Sequence, residues 1–253
     1  MPPSPMQSPA RVRPACLGRA SAERPAVPDA WLLLNSGPTA PALNMAWDEA
    51  LLEHAAHLGK PILRLYGWTD PAATFGYFQR HAEIAAATSL RPLIRRPTGG
   101  GLVPHDRDWT YSLAVPPAHP WHQLRAVDSY RAMHGWVVEA FRRIGIPTTL
   151  ADCCRKVAPG QCFQGWEKFD VLWHDRKIGG AAQRRNRMGL LIQGSIQPPP
   201  KAERATWIQA MRDAAVDAGF SETTTMPPDA RLTEAASRLA ESRYSRDDYN
   251  GLR

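Results

Sequence analysis

The segment "RPLIRRPTGGGLVPHDRDWTYSLAVP", residues 91–116, contains two strand-like runs on either side of three consecutive glycines. "RPLIRRP" and "WTYSLAVP" are rich in aliphatic and aromatic residues, a composition typical of β-strands. The three glycines, residues 99–101, lack a Cβ atom, so their backbone can approach a ligand closely and direct N–H groups at it. The segment therefore predicts a sheet that carries a ligand-binding loop between two of its strands.

The glycine loop does not match the standard nucleotide-binding motifs. It fits neither G-x-x-x-x-G-K-[ST] nor G-x-G-x-x-G. Arg95 and Arg96 precede it directly and can supply donors for an anionic or carbonyl group. On this stretch alone, a flexible surface hairpin without a ligand is the alternative interpretation.

The rest of the chain predicts helices and strands without a regular βαβ repeat. Apolar residues recur every three or four positions in residues 42–60 and 126–147, which indicates two amphipathic helices. The runs at 62–68 and 72–78 are separated by "TDP" and suggest a hairpin or two neighbouring strands. Further strand-like runs cover residues 31–37, 169–175, 177–185 and 190–196, and the region from residue 201 onward is predicted to be helical. Strands grouped in the middle with helices between and after them favour an α+β fold.

Length and composition favour one catalytic domain with a short appendage. The chain has 253 residues, of which 43% are hydrophobic. Residues 1–29 are rich in Pro, Ser, Ala and Arg and predict a disordered tail, so residues 30–253 form the predicted domain. No apolar run reaches the roughly 20 residues that span a bilayer, and no signal-peptide pattern is present. We therefore expect a cytoplasmic protein without a membrane partner.

Four cysteines are too few for a disulfide scaffold, and we expect reduced thiols. Cys162 is followed, fifteen residues later, by Lys177. A thiolate is a strong nucleophile, and a nearby ammonium lowers the thiol pKa below about 8.5. Cys153 and Cys154 have no predicted role, and no second cluster at zinc-ligand spacing accompanies them, so no metal is expected.

Six motifs, taken together, resemble those of the lipoate/biotin protein ligase superfamily. They are "NMAWDEALL", "LRLYGW", "TFGYFQR", "RRPTGGGLVPHD", "TYSLAVP" and "CFQGWEKFDVLWHDRKIGGAAQRR". Within the superfamily the sequence is most similar to the cysteine-dependent octanoyl-[acyl carrier protein]:protein N-octanoyltransferases, over roughly residues 31 to 245. The resemblance implies an α+β fold with a central mixed, largely antiparallel β-sheet flanked by helices.

The resemblance also implies a site and a reaction. Cys162 matches the nucleophile, and Lys177 matches the lysine that lowers the cysteine pKa and contacts the acyl carbonyl. The acyl-pocket residues implied in the same way are Arg96, Gly99, Gly100, Gly101 and His105, with Gly76 and Gln79 in the neighbouring wall. The donor would be octanoyl-acyl carrier protein, the acceptor a lysine of a lipoyl-domain protein, and no cofactor is required because a thioester is already activated. Acidic partners would suit the net charge of +7.

Three other functions remain open from the sequence. An ATP-dependent lipoate or biotin protein ligase shares the glycine loop and the lysine, but Cys162 and the expected lack of an accessory domain after the closing helices argue against it. An octanoyl amidotransferase acting between lipoyl domains would use the same cysteine chemistry. A nucleic-acid-binding module is suggested by the charge and by nine tryptophans, yet it needs aromatic and basic residues on one face. Most of these tryptophans lie in apolar helices and strands, so we expect no nucleic-acid partner.

Overall fold

The computed structural model describes residues 30–155, 165–217, 222–227 and 229–252. These residues form a large β-sheet with helices on both faces and a small sheet at one side. The strands are β1 (Ala30–Thr39), β2 (Ile62–Trp68), β3 (Ala72–Phe75), β4 (Leu93–Arg95), β5 (Val103–His105), β6 (Trp109–Val115), β7 (Thr149–Leu150), β8 (Val171–Trp173), β9 (Arg176–Asn186), β10 (Gly189–Ile196) and β11 (Glu222–Thr225). The helices are α1 (Pro41–Leu58), α2 (His81–Ala87), α3 (Pro120–Gln123), α4 (Ala126–Arg143), α5 (Arg204–Asp217), α6 (Ala230–Leu239) and α7 (Asp247–Asn250), with a π-helical turn at Ala240–Tyr244.

The large sheet has the strand order β11-β1-β2-β6-β10-β9-β8-β7. The pairs β11–β1 and β1–β2 are parallel, and every other neighbouring pair is antiparallel. The sheet is therefore mixed and largely antiparallel, which confirms the predicted fold class. The predicted tail, residues 1–29, lies outside the described residues.

The two faces of the large sheet differ in chemistry because side chains alternate along each strand. On one face, Trp109 and Leu113 of β6 and Ile192 of β10 pack with Val137 and Phe141 of α4 in the main hydrophobic core. On the other face, β6 presents Thr110 and Ser112, and β10 presents Gln193 and Ser195, towards α1 and the small sheet. Buried polar groups are therefore concentrated on the α1 side.

The two predicted helices are confirmed. α1 ends where Gly59 adopts a left-handed conformation with φ of 67°, and α4 ends just before Gly145 at φ of 76°. Glycine adopts positive φ at little cost, so both ends lie where the sequence pattern indicated. Among the residues that the structure describes, no helix is both long enough and apolar enough to cross a bilayer.

Three local predictions were wrong or incomplete. β2 and β3 do not form a hairpin, because β1 and β6 already occupy both edges of β2. β3 instead pairs with β4 and β5 in the separate sheet of order β4-β3-β5. The short strand β5 lies inside the segment interpreted as a loop, and β11 lies in the region predicted to be helical, where it pairs with β1. Both were missed because short strands depend on a distant partner more than on local composition.

Candidate active site

A cleft of about 490 Å³, counted with the part open to solvent, lies between the large sheet and the small sheet. Most of the residues around it are small or polar. It is lined by Met45, Thr74, Arg96, Gly100, Val103, His105, Thr110, Lys177, Gly180, Ala181, Ala182, Gln193, Gly194 and Ser195. Four residues predicted from the sequence, Arg96, Gly100, His105 and Lys177, are therefore brought to one cavity.

The glycine loop lies directly over β9. A Cβ atom at Gly100 would come within 3.3 Å of the Ala182 Cβ atom, and the Gly100 φ of +88° is one that side-chain-bearing residues rarely adopt. Gly180, Ala181 and Ala182 on β9 are small, so the strand leaves room beneath the loop. The requirement for glycine at position 100 is therefore both steric and conformational.

Arg96 holds this loop from within the protein. Its Nη2 atom donates to the carbonyl oxygens of Gly99 at 3.0 Å and Gly101 at 2.7 Å, and Nη1 donates to Thr74 Oγ1 at 2.8 Å. The side chain is buried, with only 5% of the residue exposed. Arg96 thus shapes the loop in addition to lining the cleft.

Gly76 and Gln79 support the loop from the end of β3. A Cβ atom at Gly76 would lie 1.9 Å from the Gly100 carbonyl oxygen, so only glycine fits. The Gly76 N–H donates to Gln79 Oε1 at 2.9 Å, and the Tyr77 N–H donates to the Thr98 carbonyl oxygen at 2.9 Å. These residues set the position of the loop, and neither is among the residues that line the cleft.

Arg95 serves a different purpose from the one considered in the sequence. Its guanidinium donates to the backbone carbonyl oxygens of Tyr77, Gln79, Tyr249 and Asn250. The residue is fully buried. Arg95 therefore ties the small sheet to α7, and its donors face protein carbonyls.

His105 is held on three sides. Its Nδ1 atom lies 2.8 Å from Asp108 Oδ2, and its Nε2 atom lies 2.7 Å from Thr74 Oγ1. Its ring stacks on Trp68 with 3.9 Å between the ring centroids. The imidazole lines the cleft in a fixed orientation, because both nitrogens and one ring face are engaged.

Asp108, Thr74 and Ser195 were missed by the sequence reasoning. Asp108 Oδ2 also accepts hydrogen bonds from Thr110 Oγ1 at 3.0 Å and Ser195 Oγ at 2.6 Å. The three donors come from β5, β6 and β10, so one carboxylate joins the two sheets behind the cleft. No local pattern identifies such a group, although the neighbouring "HD" and "QGSI" motifs contain its partners.

A second buried carboxylate, Asp48 of α1, lies under the cleft. Asp48 Oδ1 accepts from Arg64 Nη1 at 2.9 Å and Ser112 Oγ at 2.6 Å, and Oδ2 accepts from Tyr66 Oη at 2.8 Å and Gln193 Nε2 at 2.6 Å. Burial, together with the Asp48 charge, raises the pKa of Tyr66 well above its ordinary value. We call Asp48 and its four donors the Asp48 network. The sequence contained a signal for it, since an acidic residue inside the apolar face of a predicted helix needs a partner.

The Asp48 network is also connected to the glycine loop. Thr98 Oγ1, just before the three glycines, donates to Gln193 Oε1 at 2.7 Å. Thr98 and Gln193 are both buried. The Thr98–Gln193 hydrogen bond thus anchors the loop to the large sheet, in addition to the hydrogen bonds that Arg96 donates to the loop.

Lys177 lies at the start of β9, and its ammonium pairs with Asp170. The Nζ atom is 2.7 Å from Asp170 Oδ2, and the two side chains are only 9% and 7% exposed. A Cβ atom at Gly180 would lie 2.8 Å from that nitrogen, so the glycine makes space for it. Cys162, the predicted nucleophile, lies outside the described residues.

Two further cysteines lie in the described part of the chain, and both are exposed. A hydrogen bond with Asp152, together with the charge of that carboxylate, raises the pKa of the Cys153 thiol. A raised thiol pKa reduces the thiolate fraction at neutral pH, so Cys153 is poorly suited to nucleophilic attack. Within the described ranges, no group of three or more His, Cys, Asp or Glu side chains could hold a metal ion.

Comparison of the sequence with curated proteins identifies related octanoyltransferases. The octanoyltransferase LipM of Halalkalibacterium halodurans is 34% identical over 182 residues, which is 66% of this chain and 66% of the relative. That of Kyrpidia tusciae is 36% identical over 178 residues, or 66% of this chain and 65% of the relative. The matches thus span just under two thirds of the length of these relatives.

Solved structures share the fold at lower sequence identity. A lipoate-protein ligase A crystallised with ATP superposes with a TM-score of 0.72 at 21% identity, covering 88% of this chain and 99% of the ligase. The bi-partite lipoate protein ligase of Thermoplasma acidophilum superposes with a TM-score of 0.62 at 22% identity, covering 90% of this chain and 98% of that one. At these identities the likeness concerns the fold.

A family model described as the lipoyl protein ligase A/B catalytic domain matches residues 40–217. This range includes both sheets except the strands β1 and β11, and it includes the whole cleft. The chain belongs to the lipoyl protein ligase A/B catalytic-domain family.

Proposed function

We propose that this protein transfers an octanoyl group from acyl carrier protein to a lysine of a lipoyl-domain protein, through a thioester on Cys162. The observation that carries the proposal is the likeness to octanoyltransferases, at 34% and 36% identity. The bi-partite ligase of Thermoplasma acidophilum was analysed together with its E2 lipoyl domain, which supports an acceptor of that kind. The protein would thus act in the synthesis of protein-bound lipoate.

The proposed chemistry has two balanced steps. The Cys162 thiolate attacks the carbonyl carbon of the donor thioester, a new C–S bond forms, and the carrier thiolate leaves and takes up a proton. The amine of the acceptor lysine then attacks the acyl-enzyme, a C–N bond forms, and Cys162 leaves while the amine loses its proton. Thioester and acyl-enzyme have similar free energies, so the first step needs no nucleotide.

The cleft offers space for the acyl group and a charged side chain near its carbonyl. Strand β9 forms one wall of the cleft with Gly180, Ala181 and Ala182, and Lys177 of the same strand also lines the cleft. An ammonium there would stabilise a thiolate and the negative charge that develops on the acyl oxygen. Lys177 would therefore act in both steps.

An ATP-dependent lipoate ligase and an octanoyl amidotransferase are the competing activities, and one experiment separates all three. The purified protein is incubated with octanoyl-acyl carrier protein without nucleotide, and its intact mass is measured. We expect an added octanoyl group in the wild type and none in Cys162→Ala. ATP with free octanoate should give little product, and an octanoylated lipoyl domain should be a poorer donor than the carrier protein.

Cys153→Ala and Cys154→Ala are the matched controls, because they remove exposed thiols close in sequence to Cys162. Both variants should keep at least about half of the wild-type rate, as surface changes usually have small effects. ATP-driven octanoylation that survives in Cys162→Ala would instead identify a ligase. Faster transfer from an octanoylated lipoyl domain than from the carrier protein would identify an amidotransferase.

A further inference from the structure

We propose that Asp170 is a positioning residue that holds the Lys177 ammonium at the wall of the cleft. This inference rests on the proposed function, because it concerns how Lys177 would reach the acyl group. It adds a residue that neither the motifs nor the likeness to relatives pointed to.

The pair is buried and short. The Lys177 Nζ atom lies 2.7 Å from Asp170 Oδ2, with the two side chains 9% and 7% exposed. A lysine side chain has four rotatable bonds and favours solvent when nothing restrains its ammonium. The ion pair with Asp170 therefore restrains the ammonium beside Gly180, within the cleft.

Asp170 is itself fixed by its own turn. Its Oδ2 atom accepts a hydrogen bond from the Glu167 N–H at 2.7 Å, and its carbonyl oxygen accepts one from the Ala151 N–H at 2.9 Å. The Asp170 N–H also donates to the Glu167 carbonyl oxygen at 3.1 Å. These hydrogen bonds orient the carboxylate independently of its ion pair with Lys177.

The residue before Asp170 is held from α4. Phe169 has a φ of 71°, which is uncommon for a residue with a side chain. His134 Nδ1 lies 2.6 Å from the Phe169 carbonyl oxygen, and the Phe169 N–H donates to the Ala151 carbonyl oxygen at 2.8 Å. A backbone in this conformation persists when its surroundings hold it, and here His134 and Ala151 do so. A series of contacts therefore connects His134 of α4, through Phe169 and Asp170 in the turn, to Lys177.

Two buried polar side chains, Tyr111 and His134, interact electrostatically with the pair. Tyr111 Oη and His134 Nε2 are buried and have no hydrogen-bond partner in the described part of the chain. Burial raises the pKa of Tyr111, with the Asp170 charge adding to the shift, and burial lowers the pKa of His134. Both groups are therefore neutral at pH 7, and neither competes with Asp170 as a counter-charge for Lys177.

The test compares Asp170→Asn and Asp170→Glu with the control Asp175→Asn. Asp175 is exposed and lies two residues before Lys177, at a φ of 54° that asparagine tolerates well. The first measurement is the rate at which acetic anhydride modifies Lys177 at pH 8, read by peptide mass spectrometry. Loss of the ion pair frees the buried ammonium to move into the open cleft, where the reagent reaches it, so we expect labelling to rise about tenfold in Asp170→Asn and to be unchanged in Asp175→Asn.

The second measurement is the rate of octanoyl transfer to Cys162. We expect kcat to fall about tenfold to a hundredfold in Asp170→Asn, with KM changed less than about threefold and with partial rescue in Asp170→Glu. The double variant Asp170→Asn/Lys177→Met should be no slower than Lys177→Met alone, because Asp170 acts through the lysine. Melting temperatures of all variants identify any loss caused by unfolding.

The outcomes separate this inference from the proposed function. If the wild type forms no acyl-enzyme, the proposed function fails, while Lys177 labelling still decides whether Asp170 positions the ammonium. Unchanged Lys177 labelling in both folded Asp170 variants would overturn the inference. So would a further fall in rate when Asp170→Asn is added to Lys177→Met.

Discussion

Two buried carboxylates beside the same cleft are built in different ways. Asp48 accepts four side-chain hydrogen bonds, two on each oxygen, from Arg64, Tyr66, Ser112 and Gln193. Asp170 holds one ammonium and one backbone N–H, and its charge acts on two buried side chains, Tyr111 and His134, each with a polar atom that has no partner within the described residues.

The two carboxylates differ in whether the cation that each one binds can reach solvent. Arg64 stacks on Tyr66 at 3.9 Å from the ring centroid and is fully buried, so its charge has no route to solvent. Lys177 lies in the wall of the open cleft and can move its ammonium outward if Asp170 is lost. The Asp48 network therefore stabilises the fold, whereas Asp170 orients the Lys177 ammonium in the wall of the cleft.

The largest expected effect is on stability, in Asp48→Asn. This change leaves the buried Arg64 without its counter-charge, and breaking a buried pair in this way costs about 3 to 5 kcal/mol. Asp170→Asn should cost less than about 2 kcal/mol, because Lys177 can reach solvent. Urea unfolding at pH 7 measures both.

Ser112→Ala is the control for Asp48→Asn, since it removes one neutral donor and keeps both charges. It should cost about 1 kcal/mol. Equal losses in Asp48→Asn and Asp170→Asn would remove the distinction between the two carboxylates.

An intermediate effect is expected in Gly76→Ala, which acts on the glycine loop at the cleft. The new Cβ atom would lie 1.9 Å from the Gly100 carbonyl oxygen, so the backbone of the loop has to move. We expect a stability loss of about 1 to 3 kcal/mol, as for other overpacked sites. Octanoyl transfer should fall at least about tenfold, because a displacement near 1 Å at a reacting site has effects of this order or larger.

Gly99→Ala is the matched control in the same loop. A Cβ atom there meets nothing within 4 Å. The variant should keep its stability. A loss as large as that of Gly76→Ala would mean that the loop requires flexibility, and that the close contact between positions 76 and 100 does not explain the effect.

The smallest effect is an acid sensitivity that arises away from both carboxylates. Burial lowers the pKa of His119 to about 4, and its Nδ1 atom accepts a hydrogen bond from the Trp121 N–H at the start of α3. The unfolded chain binds a proton near pH 6.5 and the folded chain does not, so stability falls as the pH drops below about 6.5 and continues to fall towards pH 4. Between pH 7 and 5.5 the loss from this group is about 1 kcal/mol.

His119→Asn keeps a side chain that can cap the helix and removes the titration. Its free energy of unfolding should therefore depend less on pH than that of the wild type over this interval. Identical pH dependence in the two proteins would assign the acid sensitivity to other groups. His134 is one such group, because burial also lowers its pKa.

The sequence by itself determined the two amphipathic helices, most strands of the large sheet, the glycine loop and the family. These features depend on local periodicity, on turn residues and on motifs that follow each other along the chain. Arg96, Gly100, His105 and Lys177 were predicted as site residues, and the fold brings all four to one cleft. Gly76 and Gln79 also lie beside the loop, although they support it and do not line the cleft.

Only the tertiary structure decided the pairing of β3 with β4 and β5, the four donors around Asp48 and the partnership of Asp170 with Lys177. Arg64 follows Asp48 by 16 residues, and Gln193 follows it by 145. Whether a buried carboxylate finds such donors depends on strand order and register, because these place side chains from distant segments on one face of a sheet. Local patterns carry no record of that order, so the sequence indicated the candidate site residues and the tertiary structure supplied the residues that hold them.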